Sequence, residues 1–313
     1  MGKNNLLISI VIPCYNEESN INALYSTLKD VLEKNNYSFE LVFVNDGSKD
    51  NTLKLLLEAH QKDNRVKVID LSRNFGKELA LSAGLDFASG DCVIPFDADL
   101  QDPAEIIPKL IEKYQEGYEI VNAVRTKREG ETRLKKATSN LFYKIFNKFS
   151  STKLEPNVGD FRLISRPALE VIKKMPERCR FMKGIFSWVG FNSTSVEFVS
   201  KPRNSGKTKW SYLRLIDLAI NGITSFSTFP LRLAFLLGTI VSFFGFIYAI
   251  YIILQKIIFG NSVKGYPSII VALLFLGGIE LIVLGVVGEY IGKIYEEVKQ
   301  RPLYVVKRIW NDK

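Results

Sequence analysis

Five short runs rich in isoleucine, valine and phenylalanine recur through the first part of the chain, at residues 8–13, 39–44, 66–69, 92–96 and 120–124. Runs apolar on both faces predict buried parallel strands. Amphipathic stretches at 20–33, 51–60 and 78–88 lie between them and predict helices. Strand and helix in alternation predict an α/β fold with an open, mostly parallel sheet. Two further runs, 231–254 and 267–292, are apolar almost without interruption. Each is long enough as a helix to cross a hydrocarbon core of about 30 Å, and a core helix of a soluble protein rarely stays apolar on every face for that length.

The polar flanks of those runs set an orientation. Lys201, Arg203, Lys207, Lys209, Arg214 and Arg232 precede the first, and Lys293, Lys299, Arg301, Lys307 and Arg308 follow the second. The connector offers only Lys256 and Lys264. Lysine and arginine collect on the cytoplasmic side, so both ends are expected there. Residues 211–229 place Leu213, Leu215, Ile216, Leu218, Ala219, Ile220 and Ile223 around Arg214 and Asp217, a pattern for a helix lying in the membrane interface. The chain thus divides into a domain at 1–210, an interfacial helix at 211–229 and a two-span segment with a cytoplasmic tail at 230–313. The stretch 6–13 is too short and runs too soon into polar residues to be a cleavable signal peptide.

A formal charge of +9 raises the question of nucleic acid, but much of the excess flanks the spans, where it meets anionic lipid. Membrane lipid, and no nucleic acid, is the expected partner. Cys14, Cys92 and Cys179 are odd in number and show no C-x-x-C pairing, as reduced structural thiols do.

In open α/β sheets ligands bind beyond the carboxyl ends of the strands. The residues that follow the first four strands are Cys14-Tyr15-Asn16-Glu17-Glu18, Asn45-Asp46-Gly47-Ser48-Lys49-Asp50, Ser72-Arg73-Asn74-Phe75-Gly76-Lys77 and Asp97-Ala98-Asp99-Leu100-Gln101-Asp102. Singly, each is an ordinary turn or helix cap; together they crowd polar groups onto one edge. No G-x-G-x-x-G follows the first strand, and Gly206-Lys207-Thr208 lacks the first glycine and the strand of a P-loop. The Asp97-Ala98-Asp99 step instead suits a hard divalent cation that takes substrate phosphate oxygens into its shell.

These four segments resemble the successive motifs of family 2 glycosyltransferases with a GT-A fold. The tail, Gly288-Glu289-Tyr290-Ile291-Gly292-Lys293 with Arg301-Pro302, resembles the bacterial polyprenyl-phosphate glycosyltransferases, relatives of dolichol-phosphate mannose synthase. The resemblance implies transfer of a hexose from a nucleotide sugar to undecaprenyl or another polyprenyl phosphate at the bacterial inner membrane, with inversion, for cell-surface glycan modification. It assigns Pro13, Tyr15, Glu17, Asp46, Asp97 and Lys77 to the donor, with Arg203 and Lys207, flanking Ser205, as a flap over the diphosphate. It assigns Asp97, Asp99 and Gln101 to Mg2+ or Mn2+, Asp99 and Asp160 to catalysis, and Arg125, Lys135 and Ser139 to the acceptor phosphate. UDP-glucose is the leading donor, with GDP-mannose and modified arabinose or amino sugars as alternatives. A homo-oligomer through the spans is implied, and Glu280 within the second span is read as a helix contact between subunits.

Bland alternatives stand beside these. Asp160 is then a loop aspartate paired with Arg162, the basic residues before the spans are a membrane-surface patch, and His60, beside Gln61 and Lys62, sits on a surface helix with no chemistry. A polysaccharide synthase is disfavoured because Lys207-Thr208-Lys209-Trp210 stands where Q-x-x-R-W is needed and two spans make a poor pore. A lipid flippase or scaffold with a degenerate domain is disfavoured by the carboxylates at Asp46, Asp97, Asp99 and Asp160.

Overall fold

The computed structural model describes residues 6–127, 143, 144, 146–150, 152–175, 177, 178, 180–200, 224, 225, 227–259 and 265–311. The strands are β1 (Leu7–Cys14), β2 (Ser38–Asn45), β3 (Val66–Leu71), β4 (Cys92–Pro95), β5 (Ile120–Lys127), β6 (Val158–Ser165), β7 (Ser193–Val199) and β8 (Val306–Trp310). The helices are α1 (Ile21–Lys34), α2 (Thr52–Lys62), α3 (Lys77–Phe87), α4 (Ile107–Gln115), α5 (Arg166–Lys174), α6 (Met182–Trp188), α7 (Phe229–Phe259) and α8 (Tyr266–Val298). All the strands form one sheet in the order β7-β5-β6-β4-β1-β2-β3-β8. β4, β1, β2 and β3 are mutually parallel, and β6 runs antiparallel to both β4 and β5.

Alternation along the strands builds a three-layer molecule. Ile8, Ile10 and Ile12 of β1, with Leu41 and Phe43 of β2, pack with Leu24 and Leu28 of α1, Leu56 of α2 and Leu110 of α4. On the other face Val11, Val42 and Val44 pack with Ala80 and Leu81 of α3, Leu169 of α5 and Ile185 of α6. These side chains are essentially without solvent exposure, and each contributes about 1.5–3 kcal/mol by burial. α3 seats closest: a Cβ at Gly84 would lie 2.2 Å from Cγ1 of Val11, so glycine is required there.

The helix and strand boundaries expected over the first four strands agree with the structure within two residues. β8 was not legible as a strand in the sequence pattern. It follows the second apolar helix and pairs antiparallel with β3, covering an edge that would otherwise be open. The expected surface position of His60 is overturned: it is 8% exposed, and its Nδ1 donates to the Val66 carbonyl at 2.6 Å. α2 turns this face onto the sheet, where a buried imidazole is tolerated because it is hydrogen-bonded. Cys14 and Cys92 are buried and unbridged, and Cys179 lies outside the described residues.

α7 and α8 each contain a window long and apolar enough to cross a membrane, Phe229–Gln255 and Val271–Val298, with mean hydropathies of 2.2 and 2.5. Their side chains face outward, with Phe235 77% and Leu281 71% exposed. The hairpin is fastened to the domain at its base. Tyr290 donates to the Ser227 carbonyl at 2.5 Å, Lys293 to Ser225 at 3.0 Å, and Arg178 N–H to Glu297 at 2.7 Å.

Candidate active site

Strands β1, β2 and β3 end level, with Cys14 opposite Asn45 and Asn45 opposite Asp70, so the loops that follow them stand side by side. Many of their polar groups hold one another. Asn16 N–H donates to Ser48 Oγ at 3.0 Å and Lys49 N–H to Asn16 Oδ1 at 2.8 Å. Glu17 N–H donates to Thr52 Oγ1 at 2.9 Å, and the Glu17 carboxylate accepts from Asn20 at 2.7 Å. The Glu18 carboxylate accepts from the backbone and side chain of Asn51, both at 3.0 Å. Pro13, Tyr15 and Glu17 are half-buried along this rim.

Asp46 has a scaffold role that its motif does not announce. It is 2% exposed, and its two oxygens accept from Phe75 N–H at 2.7 Å and Gly76 N–H at 2.9 Å. Burial pushes its carboxyl up, and these two backbone donors oppose that. Gly47, at φ +62°, makes the close approach possible, because a Cβ would fall 2.5 Å from the Arg73 carbonyl carbon. Asp46 and Gly47 together therefore hold the 73–76 loop, which feeds directly into Lys77 at the start of α3.

Lys77 is the centre of the site. Its ammonium lies 2.7 Å from Asp97 Oδ1 and 2.7 Å from Asp160 Oδ2, joining the turn after β4 to strand β6. Asp160 is thus on a strand and paired with Lys77, not in a loop paired with Arg162. Arg162 turns instead to the Gly159 carbonyl at 2.7 Å and stacks over Phe186. Burial works against the charge on Asp160, but Lys77 and then Lys183 outweigh it and hold the carboxyl well below the usual carboxylate range. Burial likewise opposes the charge on Lys77, and Asp160 and Asp97 hold its ammonium well above the usual lysine range. Asp160 Oδ1 is buried with no hydrogen-bond partner among the described residues.

The turn carrying Asp99 and Gln101 is set by backbone geometry. Leu100 adopts φ +56°, a left-handed conformation that costs on the order of 1–2 kcal/mol for a residue with a Cβ. Gln101 N–H donates to Asp99 Oδ1 at 3.2 Å, and Ser200 holds the Gln101 carbonyl at 3.2 Å. Arg125 donates to the buried carboxylate of Asp102 at 2.8 Å, which ties the end of β5 to the same turn. Lys135, Ser139, Arg203, Ser205 and Lys207 lie outside the described residues.

Two residues that the motifs did not single out for a role join this cluster. Glu78 follows Lys77, and Lys183 stands in the first turn of α6. Both interact electrostatically with Asp160. Glu78 was visible in the sequence only as the next residue of a helix start. Lys183 carried no signal at all, because α6 reaches the site through the sheet topology.

Residues 9–173 match the model of glycosyl transferase family 2, and residues 229–294 match that of the GtrB C-terminal hairpin. The prophage bactoprenol glucosyl transferase homolog of Escherichia coli strain K12 is 52% identical over 302 residues, 96% of this chain and 99% of that protein. The bactoprenol glucosyl transferase of Shigella phage SfII is 52% identical over 301 residues, 96% of this chain and 97% of that one. An uncharacterized glycosyltransferase of Synechocystis sp. is 52% identical over 303 residues, 97% of this chain and 95% of that one. The chain therefore belongs to glycosyl transferase family 2 and carries that family's GT-A sheet together with a GtrB-type C-terminal hairpin.

Proposed function

We propose that the protein moves glucose from UDP-glucose to undecaprenyl or another polyprenyl phosphate, on the cytoplasmic face of a bacterial inner membrane. The carrying observation is the Asp97-Lys77-Asp160 cluster at the sheet edge, in a chain whose two long apolar helices leave from and return to that same sheet. A soluble nucleotide sugar and a lipid acceptor require both parts. The bactoprenol glucosyl transferases named above support the acceptor and the sugar.

The acceptor phosphate is an anion near neutral pH, so its oxygen attacks the anomeric carbon without a strong base. The carbon–oxygen bond to the nucleoside diphosphate breaks, and a single displacement inverts the centre. Pro13, Tyr15 and Glu17 form the rim against which the nucleoside lies, and Asp46 supports it through the 73–76 loop. Arg125, with Lys135 and Ser139, takes the acceptor phosphate, and Arg203 and Lys207 close over the leaving group.

A divalent cation fits the donor set. Asp97, Asp99 and Gln101 offer the oxygen ligands that Mg2+ or Mn2+ prefers, and their turn lies within reach of solvent. Among the described residues no cluster of three or more His, Cys, Asp or Glu forms a closed cage, so diphosphate oxygens would complete the shell. When bound, the cation offsets the charge that builds on the leaving diphosphate. Subunits associate through the spans in this reading, which gives a place to Glu280, exposed at mid-helix in the single chain.

The test is transfer of label from UDP-glucose, GDP-mannose and other nucleotide sugars to undecaprenyl phosphate by the detergent-solubilised protein, with and without chelator. One donor should yield a lipid-linked monosaccharide in the presence of metal alone. A folded protein that yields none, while an active bactoprenol glucosyl transferase works alongside, would overturn the reading.

A further inference from the structure

Three charged side chains, from the start of α3, from β6 and from the start of α6, act on one another beside Lys77. Asp160 is the most constrained. Its side chain is only 10% exposed, Oδ2 is fixed by Lys77 at 2.7 Å, and Oδ1 is buried without a hydrogen-bond partner among the described residues. A buried carboxylate oxygen in that state calls for a hydroxyl or N–H donor from a ligand. It does not call for a proton. Lys77 and Lys183 keep the carboxyl ionised far below neutral pH, and so weak a base abstracts protons poorly.

Glu78 lies in the first turn of α3, and one of its oxygens accepts from Met182 N–H at 3.4 Å, the first residue of α6. Burial, and then the charge of Asp160, push its carboxyl up to about 7 against the pull of Lys77 and Lys183. At neutral pH it can therefore meet a hydroxyl as acceptor or as donor. Lys183, one residue further along α6, brings an ammonium near enough to favour the charge on both carboxylates. One fixed acceptor, one group that serves both ways and one donor match the vicinal hydroxyls of a neutral sugar. They do not match a phosphate, which two carboxylates would repel. The order Asp97, Lys77, Asp160 also follows the order of the donor molecule, in which the hexose is bonded directly to the diphosphate.

Resting on the sugar-transfer reading above, we propose that Asp160, Glu78 and Lys183 form the subsite that reads the hydroxyl groups of the donor hexose, with Asp160 holding a sugar hydroxyl instead of serving as a base. Specificity among hexoses then lies between α3, β6 and α6, away from the nucleotide rim.

The experiment compares UDP with UDP-glucose on the full-length detergent-solubilised protein by calorimetry, in wild type and in Asp160→Asn, Glu78→Gln and Lys183→Met. UDP should bind each variant within about twofold of wild type, while the extra affinity contributed by glucose falls about tenfold or more. Kinetics with deoxyglucose forms of the donor give the second arm. One deoxy position should cost wild type about 100-fold in kcat/KM yet add little to the loss already present in Asp160→Asn, the non-additivity of groups in contact. Thermal melts establish that each variant is folded, and Lys183→Arg should recover part of the loss. Equal weakening of UDP and UDP-glucose, fully multiplicative deoxy penalties, or an acid limb of kcat that disappears in Asp160→Asn would each overturn the proposal. If wild type moves no glucose from UDP-glucose, the functional reading fails first; if it does and the patterns above are absent, only the subsite fails.

Discussion

The sheet and the hairpin use the same apolar residues in opposite ways. Ile10 of β1 is 0% exposed between two layers of helices, whereas Ile282 of α8 is 68% exposed. In the sheet, packing inside the protein removes isoleucine from water, and each polar group needs a named partner. In the hairpin that role falls to the surroundings, which is why mean hydropathies of 2.2 and 2.5 coexist with almost no internal burial. The comparison teaches where stability and chemistry reside: shape complementarity and charge pairing govern the sheet, and solvent preference governs the hairpin.

Substitutions can break or sharpen that contrast. The largest effect belongs to the polar edge. Asp99→Asn keeps the shape of the turn and should lower kcat at least about 1000-fold, about 4 kcal/mol in the barrier, in the lipid-transfer assay. The same exchange at mid-span, Glu280→Gln, should leave kcat within about threefold, because the hairpin holds no reacting group. A comparable loss there would erase the distinction.

Next comes the core. Ile10→Ala should destabilise the protein by about 2–5 kcal/mol in chemical denaturation, since its cavity cannot collapse between two helix layers. Gly47→Ala follows at about 1–3 kcal/mol. Its φ of +62° and the 2.5 Å approach to the Arg73 backbone force the 73–76 loop away from Asp46, so the KM for the nucleotide sugar should rise with the loss of stability.

A smaller, pH-dependent effect is expected at the far end of the sheet. Asp63 accepts from Arg65 at 2.8–2.9 Å, and that pair, against the cost of burial, holds its carboxyl down to about 2. A carboxyl depressed in the folded state stabilises it above its unfolded value near 4, and the contribution disappears as pH falls toward 2. Arg65 is partly exposed, which limits the contribution to about 1–2 kcal/mol. Asp63→Asn should therefore cost that much in unfolding measurements at pH 7 and progressively less below pH 4. Last, Ile282→Ala should shift stability by less than about 1 kcal/mol, because lipid or detergent fills the space that a sheet cavity would leave empty. A loss as large as that at Ile10 would mean that α8 is packed against protein on that face.

Much of this was legible in the sequence. Runs such as 8–13 and 39–44 identify buried strands because only strands apolar on both faces suit the middle of a three-layer sandwich. The polar segments after them mark the edge beyond which open α/β sheets bind ligands, and the two apolar runs are each long enough to cross a membrane. The motifs also brought out Asp97 and Asp160 individually. They did not reveal that one ammonium lies between them, nor that Asp46 is turned inward to hold the loop leading to that ammonium.

Composition and periodicity by themselves determined the layers, the site's edge and the hairpin, since each depends on local pattern and on the medium a side chain prefers. Only the tertiary structure decided which charges meet. Lys77 and Asp160 are separated by 83 positions along the chain, Glu78 and Met182 by 104, and β8 reaches β3 from beyond both apolar helices. Such pairs depend on strand order and on the direction in which each strand runs. Those are global consequences of packing the whole chain, and no local run of residues carries them.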